Sequence, residues 1–360
     1  MANVVILGAG VMGSAMTAPL AENGHDIRLV GTHLDGEIIE AIRATRVHPR
    51  LAREIPPRVR TFRIEEIEAA FEGAEIVVSG VNSLGVEWAG ERLAGVLRPG
   101  QIVIAVTKGV RARENGDLRI LPDVLAEPVP ADVRERVGWG AIVGPAIAGE
   151  VAARRETCVV FCGSEEPVLD RLAEVFRTDW YHVWTSVDLV GCEICAAAKN
   201  CYALGIGLAE GELERRGEDD SRDRAHNYEA ALFAQSAVEI RQWTSLLGGD
   251  PGTASWLPGV GDLYVTATGG RNVRVGNLLG TGLGFADAAA RLGNPTLEGA
   301  AAIEVFGDAL GKLTERAVVG EGDFPLMRQL YELIALERQL DLPWRRFFGG
   351  EPTPRPTRSA

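Results

Sequence analysis

Apolar residues in the first half of the chain fall into short β-branched runs, separated by stretches in which they recur every third or fourth position. That alternation is what a parallel sheet covered by helices produces. Strands are predicted at residues 3–7, 26–30, 76–79, 101–106, 140–143 and 157–162, with a last one at 180–185. Residues 11–23 read as a helix stopped by Gly24, which takes a left-handed cap without strain. Residues 33–75 contain His48-Pro49 and Pro56-Pro57 and read as helix, loop, strand and helix. After Ser186 the β-branched alternation gives way to runs rich in Ala, Leu and Glu. Three long helices are predicted there, at 187–210, 226–247 and 324–340, with Gly-rich blocks at 259–284 and 293–299 between them. Residues 212–224 (ELERRGEDDSRDR) show no apolar face and read as a solvated loop, and residues 351–360, with three prolines, as a disordered tail. The expected organisation is an α/β domain over 1–186, a helical domain over 187–348 and a tail over 349–360, with no internal repeat.

Composition narrows the classes of partner. At 360 residues, 46% hydrophobic and 24% charged, the chain can bury two ordinary cores. A formal charge of −13 with no local basic stripe argues against nucleic acid or an anionic membrane surface. The chain opens directly into Val4-Val5-Ile6-Leu7 without a signal-peptide pattern, and no uninterrupted apolar stretch of about eighteen residues appears, so a cytoplasmic protein without a membrane span is expected. Five cysteines fit a reducing compartment; Cys192-Glu193-Ile194-Cys195 has no second pair at zinc-site spacing and reads as core packing. His25, His48, His182 and His226 lack ligand spacing, and no metal is expected.

The first predicted strand runs into Gly8-Ala9-Gly10-Val11-Met12-Gly13 and then into a helix, the context in which G-x-G-x-x-G describes a dinucleotide-binding turn. Gly8 allows the turn, Gly10 the approach of a pyrophosphate and Gly13 close helix-to-strand packing, while the amides around Val11 and Met12 face the phosphates. The fold class is therefore an N-terminal Rossmann domain, with a doubly wound and mostly parallel sheet, followed by an all-α C-terminal domain. The second strand ends Leu29-Val30-Gly31-Thr32-His33, with no acid until Asp35. Without a carboxylate there to repel a 2′-phosphate, and with Thr32 and His33 available to it, NADP is slightly favoured over NAD.

Two polar blocks stand downstream. Lys199 and Asn200 emerge from an apolar run, EICAAAKN, and residues 259–272 place Asp262, Thr266, Gly270, Arg271 and Asn272 on a Gly-rich segment that reads as flexible enough to meet a ligand. A phosphate-binding turn, an isolated lysine, an aspartate and an Arg-Asn pair describe a dehydrogenase acting on a small anionic substrate. These blocks, with Thr107-Lys108-Gly109, Gly144-Pro145-Ala146-Ile147-Ala148-Gly149-Glu150, Asn227 and Glu298-Gly299, stand in the order found in the NAD(P)-dependent sn-glycerol-3-phosphate dehydrogenases, which this chain resembles over nearly its whole length.

The resemblance implies an active site between the two domains, a homodimer and no metal. It implies Lys199 as the proton donor and acceptor at the C2 oxygen, Asp262 as its neighbouring acid and Lys108 as a positive charge beside cofactor and substrate. Asn200, Thr266, Gly270, Arg271 and Asn272 would hold the substrate, and Arg271, Glu298 and the backbone around Gly144, Ala146 and Ala148 would touch the cofactor. The reaction implied is reversible hydride transfer from NAD(P)H to dihydroxyacetone phosphate or a close phosphorylated hydroxyketone. Asp262 also fits a turn or helix-cap aspartate, Lys108 an ordinary post-strand loop and Arg271 a simple ion pair. Four features depart from the family pattern: a short Ala267-Thr268-Gly269-Gly270 loop before Arg271, Asn82 in place of a proline, an insertion-like stretch at residues 212–224, and Gln235-Ser236 where an arginine is usual. A β-hydroxyacid dehydrogenase, whose helix lysine is followed by an asparagine several residues on, and a non-catalytic NAD(P)-sensing protein are the competing readings.

Overall fold

The structure, a computed structural model, describes residues 1–217, 225–294 and 297–349. Eight strands form one sheet: β1 (Asn3–Leu7), β2 (Asp26–Val30), β3 (Val59–Phe62), β4 (Ile76–Ser79), β5 (Ile102–Ala105), β6 (Gly138–Val143), β7 (Thr157–Gly163) and β8 (Tyr181–Ser186). Their order is β8-β7-β6-β5-β4-β1-β2-β3, and every neighbouring pair is parallel except β6 with β7. The chain winds outward from β1 in one direction and then returns to the other side through β4. The doubly wound, mostly parallel sheet read from the sequence is thus the observed one. Its central strands are buried on both faces, which is why they read as continuous apolar runs such as Val4-Val5-Ile6-Leu7.

The predicted helix over 11–23 is interrupted at Met16, giving Val11–Ala15 and Thr17–Glu22. Pro19 has no amide to donate to the carbonyl of Ala15, so the ladder breaks one turn before it. Gly24 follows with φ +75°, the left-handed residue expected at that end. Asn82 accepts from the amide of Gly85 at 3.0 Å, so its carboxamide caps the turn Ser83–Gly85 that a proline would stiffen by other means.

The chain separates into two compact units: residues 1–111, 119–196 and 247–262 in one, and 112–118, 197–246 and 263–360 in the other. Described by itself, the second unit is helical. Leu189–Arg216, 28 residues long, begins in the first unit and supplies the second from Ala197 onward. It is apolar enough to cross a membrane by composition, yet 83% of its most apolar window is buried, as in a core helix.

Two expectations for this region are corrected. The stretch expected as a solvated loop from 212 is helical through Arg216, and Glu212 is buried, accepting from Tyr228 and Arg216; residues 218–224 lie outside the described residues, as does 350–360 of the expected tail. The helix predicted over 324–340 ends at Ile334. The Gly-rich block 259–284 holds the helix Arg271–Gly280, and the helices Phe285–Arg291 and Glu298–Glu315 follow it. Their glycines are there because backbones touch. A Cβ on Gly276 would lie 2.0 Å from the carbonyl oxygen of Leu204, one on Gly280 2.3 Å from that of Leu208, and one on Gly211 1.8 Å from that of Asn277. Side-chain-free contact of this kind overrides the weak helix propensity of glycine. The buried Glu239 carboxylate ties the remaining helices together, accepting from Tyr202 Oη, Gln235 Nε2 and the amides of Leu326 and Met327.

Candidate active site

In the first unit the loops after β1 and β4 meet where the strand order reverses, the position at which doubly wound sheets bind ligands. Gly8 has φ +112°, and a Cβ there would stand 2.7 Å from Gly80 C; one on Gly13 would stand 2.3 Å from the oxygen of Gly8. These two glycines are required by packing alone. Gly10 is different: its φ is −65°, and a Cβ would meet only Gly80 O at 3.8 Å. Packing does not require glycine at 10, and the open space above its backbone would admit a pyrophosphate. The residues therefore fit a dinucleotide, with the first-turn amides at Val11, Met12 and Gly13 beyond it.

Two side chains missed by the sequence reading hold this turn. His48 Nε2 lies 2.9 Å from the carbonyl oxygen of Ala9, and Asp35 Oδ2 accepts from Ala9 N at 3.1 Å. Asp35 also accepts from Thr32 N (2.9 Å) and Thr32 Oγ1 (2.8 Å). The acid that follows β2 is thus committed to the backbone, and so is the hydroxyl of Thr32, which in turn accepts from Leu34 N. His33 is exposed and packs edge-on to Trp88 at 5.0 Å. A cleft of about 380 Å³ opens here, lined in part by Thr32, His33, Glu37, Glu40 and Arg63. Arg63, 33 residues downstream of Val30, has no motif to betray it; its guanidinium pairs with Glu40 at 2.9 Å in an exposed, weak bridge.

On the other side of β1, Lys108 follows β5. Its Nζ donates to Asp262 Oδ2 at 2.6 Å and to the carbonyl oxygen of Gly144 at 3.0 Å. Asp262 is 1% exposed and Lys108 18%, so the pair is largely desolvated and its charge-assisted bond is short. The backbone approaches Lys108 at Gly144 because that residue has φ +102°. Ala146 and Ala148 lie just beyond, at the start of the helix Ala148–Ala152. Asp262 is delivered by a π-helical turn, Leu257–Gly261, in which Gly261 N bonds back to Trp256 O. The flexibility expected of this segment is not what its glycine provides: a Cβ on Gly259 would lie 2.0 Å from Ala254 O, so Gly259 locks the turn in place.

In the second unit Lys199 is 7% exposed, on a helix whose neighbouring residues Ala197, Ala198 and Cys201 are buried. Asn200 Oδ1 accepts from Asn272 Nδ2 at 3.4 Å, and Asn272 Oδ1 accepts from Gly299 N at 3.3 Å. A side chain on Gly299 would meet both asparagines, which accounts for Glu298-Gly299 as a block. Gly270, with φ +102° and open space where a Cβ would point, starts the helix that carries Arg271. Arg271 and Glu298 are exposed and Thr266 half-buried. Three of the substrate candidates are thus held on one frame: Asn200, Asn272 and the helix start at Gly270.

One residue that the sequence reading set aside as a helix brace belongs to the first unit's cluster. Glu193 is fully buried, neither of its carboxyl oxygens has a hydrogen-bond partner, and burial pushes its pKa up to about 8 against the opposing charge of Lys108. Cys162 and Cys192 are buried beside it, the Cys162 thiol raised by the same desolvation and by Cys192. Among the described residues no group of three potential ligands could hold a metal ion.

A strand order that reverses at a glycine turn, with the desolvated Lys108–Asp262 pair on the other side of β1, defines a dinucleotide-binding fold with a cationic centre beside it. Residues 3–168 match the family model for the NAD-dependent glycerol-3-phosphate dehydrogenase N-terminus, and residues 188–342 match that for its C-terminus. An NADP(+)-dependent glycerol-3-phosphate dehydrogenase of Archaeoglobus fulgidus is 38% identical over 79% of this chain and 82% of its own. A glycerol-3-phosphate dehydrogenase [NAD(P)+] of an Exiguobacterium species is 30% identical over 93% and 91%. In fold the chain is similar to the glycerol-3-phosphate dehydrogenase of Coxiella burnetii, with a TM-score of 0.76 at 24% identity over 93% of this chain and 95% of that one. The chain belongs to the NAD-dependent glycerol-3-phosphate dehydrogenase family. It is an NAD(P)-dependent enzyme of hydride transfer that forms glycerol 3-phosphate.

Proposed function

We propose that this enzyme reduces dihydroxyacetone phosphate to sn-glycerol 3-phosphate, with Lys199 as the acid that protonates the C2 oxygen and the base that reclaims the proton in reverse. When bound, the reduced nicotinamide supplies the hydride to C2. Lys199 supplies the proton, so the carbonyl gains one hydride and one proton and no charge is left on oxygen. Lys108 places a positive charge where that oxygen becomes an alkoxide, and Asp262 and Gly144 O fix the direction of its ammonium. Arg271 and the backbone amides that follow Gly270 form the grip for the substrate phosphate. The observation that carries this reading is the Asn200–Asn272–Gly299 chain, which binds the residue next to Lys199 to the start of the Arg271 helix.

The short 267–270 loop suits a small phosphorylated hydroxyketone, and the engagement of Asp35 Oδ2 by Ala9 N and Thr32, with Arg63 in the cleft after β2, supports NADP as the favoured cofactor. The reading extends to a cytoplasmic homodimer, on the family resemblance. The test is oxidation of NADPH and of NADH with dihydroxyacetone phosphate by wild type beside Lys199→Ala. Turnover that falls by several orders of magnitude in the variant, with cofactor binding kept, is the expected result. Wild type that binds cofactor and does not turn over this substrate overturns it.

A further inference from the structure

The helix Leu189–Arg216, which carries Lys199 and Asn200, starts on a carboxylate. Asp188 Oδ1 accepts from Gly191 N at 2.9 Å, the bond an N-cap residue makes to the first turn. The carboxylate also accounts for glycine at 191, where a Cβ would stand 2.0 Å from Asp188 Oδ2. Capping alone needs one oxygen, and serine or asparagine would serve. Here the second oxygen is engaged as well. Asp188 Oδ2 accepts from Thr253 Oγ1 at 2.6 Å and from Asp250 N at 3.1 Å, groups 65 and 62 residues downstream. Only a carboxylate accepts at both ends; asparagine would carry a donor in one of those places.

Asp250 and Thr253 belong to the short helical turn Pro251–Ser255 and its cap, and from there to Lys108 the bonds run in series. Thr253 O accepts from Trp256 N at 3.2 Å, and Trp256 O accepts from Gly259 N and Gly261 N, each at 3.2 Å. Asp262 comes next in the chain, and its Oδ2 accepts from Lys108 Nζ at 2.6 Å. The two turns have little slack between them, because a Cβ on Gly259 would already lie 2.0 Å from Ala254 O. A displacement at one end is therefore passed on rather than absorbed. All the residues of this series, from Asp188 to Lys108, belong to the first unit.

We propose that Asp188 is a positioning residue for Lys108: it fixes the entry of the 250–262 segment, and through that segment the place of the Asp262 carboxylate that orients the ammonium. The inference rests on the roles given above to Lys108 and Asp262. In Asp188→Asn the carboxamide oxygen still caps Gly191 N, while its Nδ2 meets Asp250 N donor to donor. The segment must then shift, and the Asp262 carboxylate shifts with it. Gly144 O, another partner of Lys108, lies on a different loop and stays in place, so the ammonium is redirected rather than released. Thr253→Val breaks the same tie from the other side and leaves the cap untouched.

The experiment is a mutant cycle: wild type, Asp188→Asn, Thr253→Val and Lys108→Ala, with each of the first two also combined with Lys108→Ala. All are assayed with NADPH and dihydroxyacetone phosphate, beside cofactor titration, melting and hydrogen exchange across residues 250–262. Asp188→Asn should lower kcat/KM about tenfold or more and Thr253→Val about threefold or more, with cofactor affinity within about twofold of wild type. Exchange at the amides of Trp256, Gly259 and Gly261 should quicken in both. On the Lys108→Ala background the same substitutions should change kcat/KM by less than about twofold, because the group they act through is gone. A brace for the fold alone would lower melting and spare kcat/KM, or cost the same with and without Lys108. Either result overturns the proposal, as does unchanged exchange. If Asp188→Asn does not fold, Thr253→Val carries the cycle. If Lys108→Ala turns over as fast as wild type, or wild type does not turn over this substrate, the roles assigned above fail; quickened exchange would still support the hold of Asp188 on the turn, and unchanged exchange would overturn it.

Discussion

Gly276→Ala tests whether the glycine contacts of the second unit set the geometry of substrate binding. The added methyl carbon would stand 2.0 Å from the carbonyl oxygen of Leu204, where carbon atoms of this kind do not come closer than 3.0 Å. The two helices must part by about 1.0 Å. Neither can yield locally, because the same seam holds Gly207 against Val273 O, Gly211 against Asn277 O and Gly280 against Leu208 O. The displacement is therefore carried along the helix to Asn272, one turn before Gly276. There the Asn272–Asn200 bond, already 3.4 Å, lengthens beyond hydrogen-bonding range. Overpacking of this kind costs about 1–3 kcal/mol of stability. A shift of about 1 Å in a substrate-positioning group costs on the order of 10²-fold in turnover. Gly311→Ala is the control: it lies in the helix Glu298–Glu315 with nothing within 4 Å, so alanine should add up to about 1 kcal/mol and leave kcat alone. Kinetics with dihydroxyacetone phosphate and thermal melts of both variants read the difference. Wild-type kcat and melting in Gly276→Ala would refute the reasoning.

Two further outcomes follow from the dinucleotide end. Gly10→Ala should fold normally and weaken NADPH and NADH alike by at least about tenfold, whereas Gly13→Ala, whose Cβ meets Gly8 O at 2.3 Å, should lower the melting temperature as well; titration of cofactor fluorescence beside a melt separates them. Arg63→Ala should raise KM for NADPH several-fold and leave KM for NADH unchanged, since only a 2′-phosphate would recruit its guanidinium from Glu40 in that cleft. Equal effects on both cofactors would remove Arg63 from the cofactor site.

What could be read from residues alone was whatever has a local cause. The strands of the sheet announce themselves because a strand buried on both faces is a short apolar run, and Gly8 and Gly13 because a strand-to-helix turn needs residues without side chains at that spacing. Lys199, Asn200, Asp262 and Asn272 stood out because polar residues in apolar or Gly-rich surroundings are unusual.

What escaped the sequence has its cause at a distance. Gly276 and Gly280 stand in a block that reads only as Gly-rich, and the backbone of Leu204 and Leu208 beneath them is what makes glycine the helical choice. Asp35 looked like an acid too late in the chain to matter, until folding brought its carboxylate onto Ala9 and Thr32. Arg63 reaches its cleft by a pairing of β2 with β3 that no short-range pattern encodes. Glu193 read as a brace on its helix because a sequence shows that a residue is ionisable and not whether it has partners. Whether it holds a proton is decided by the water, the hydrogen bonds and the charges that folding takes away or brings near, and those belong to the tertiary structure.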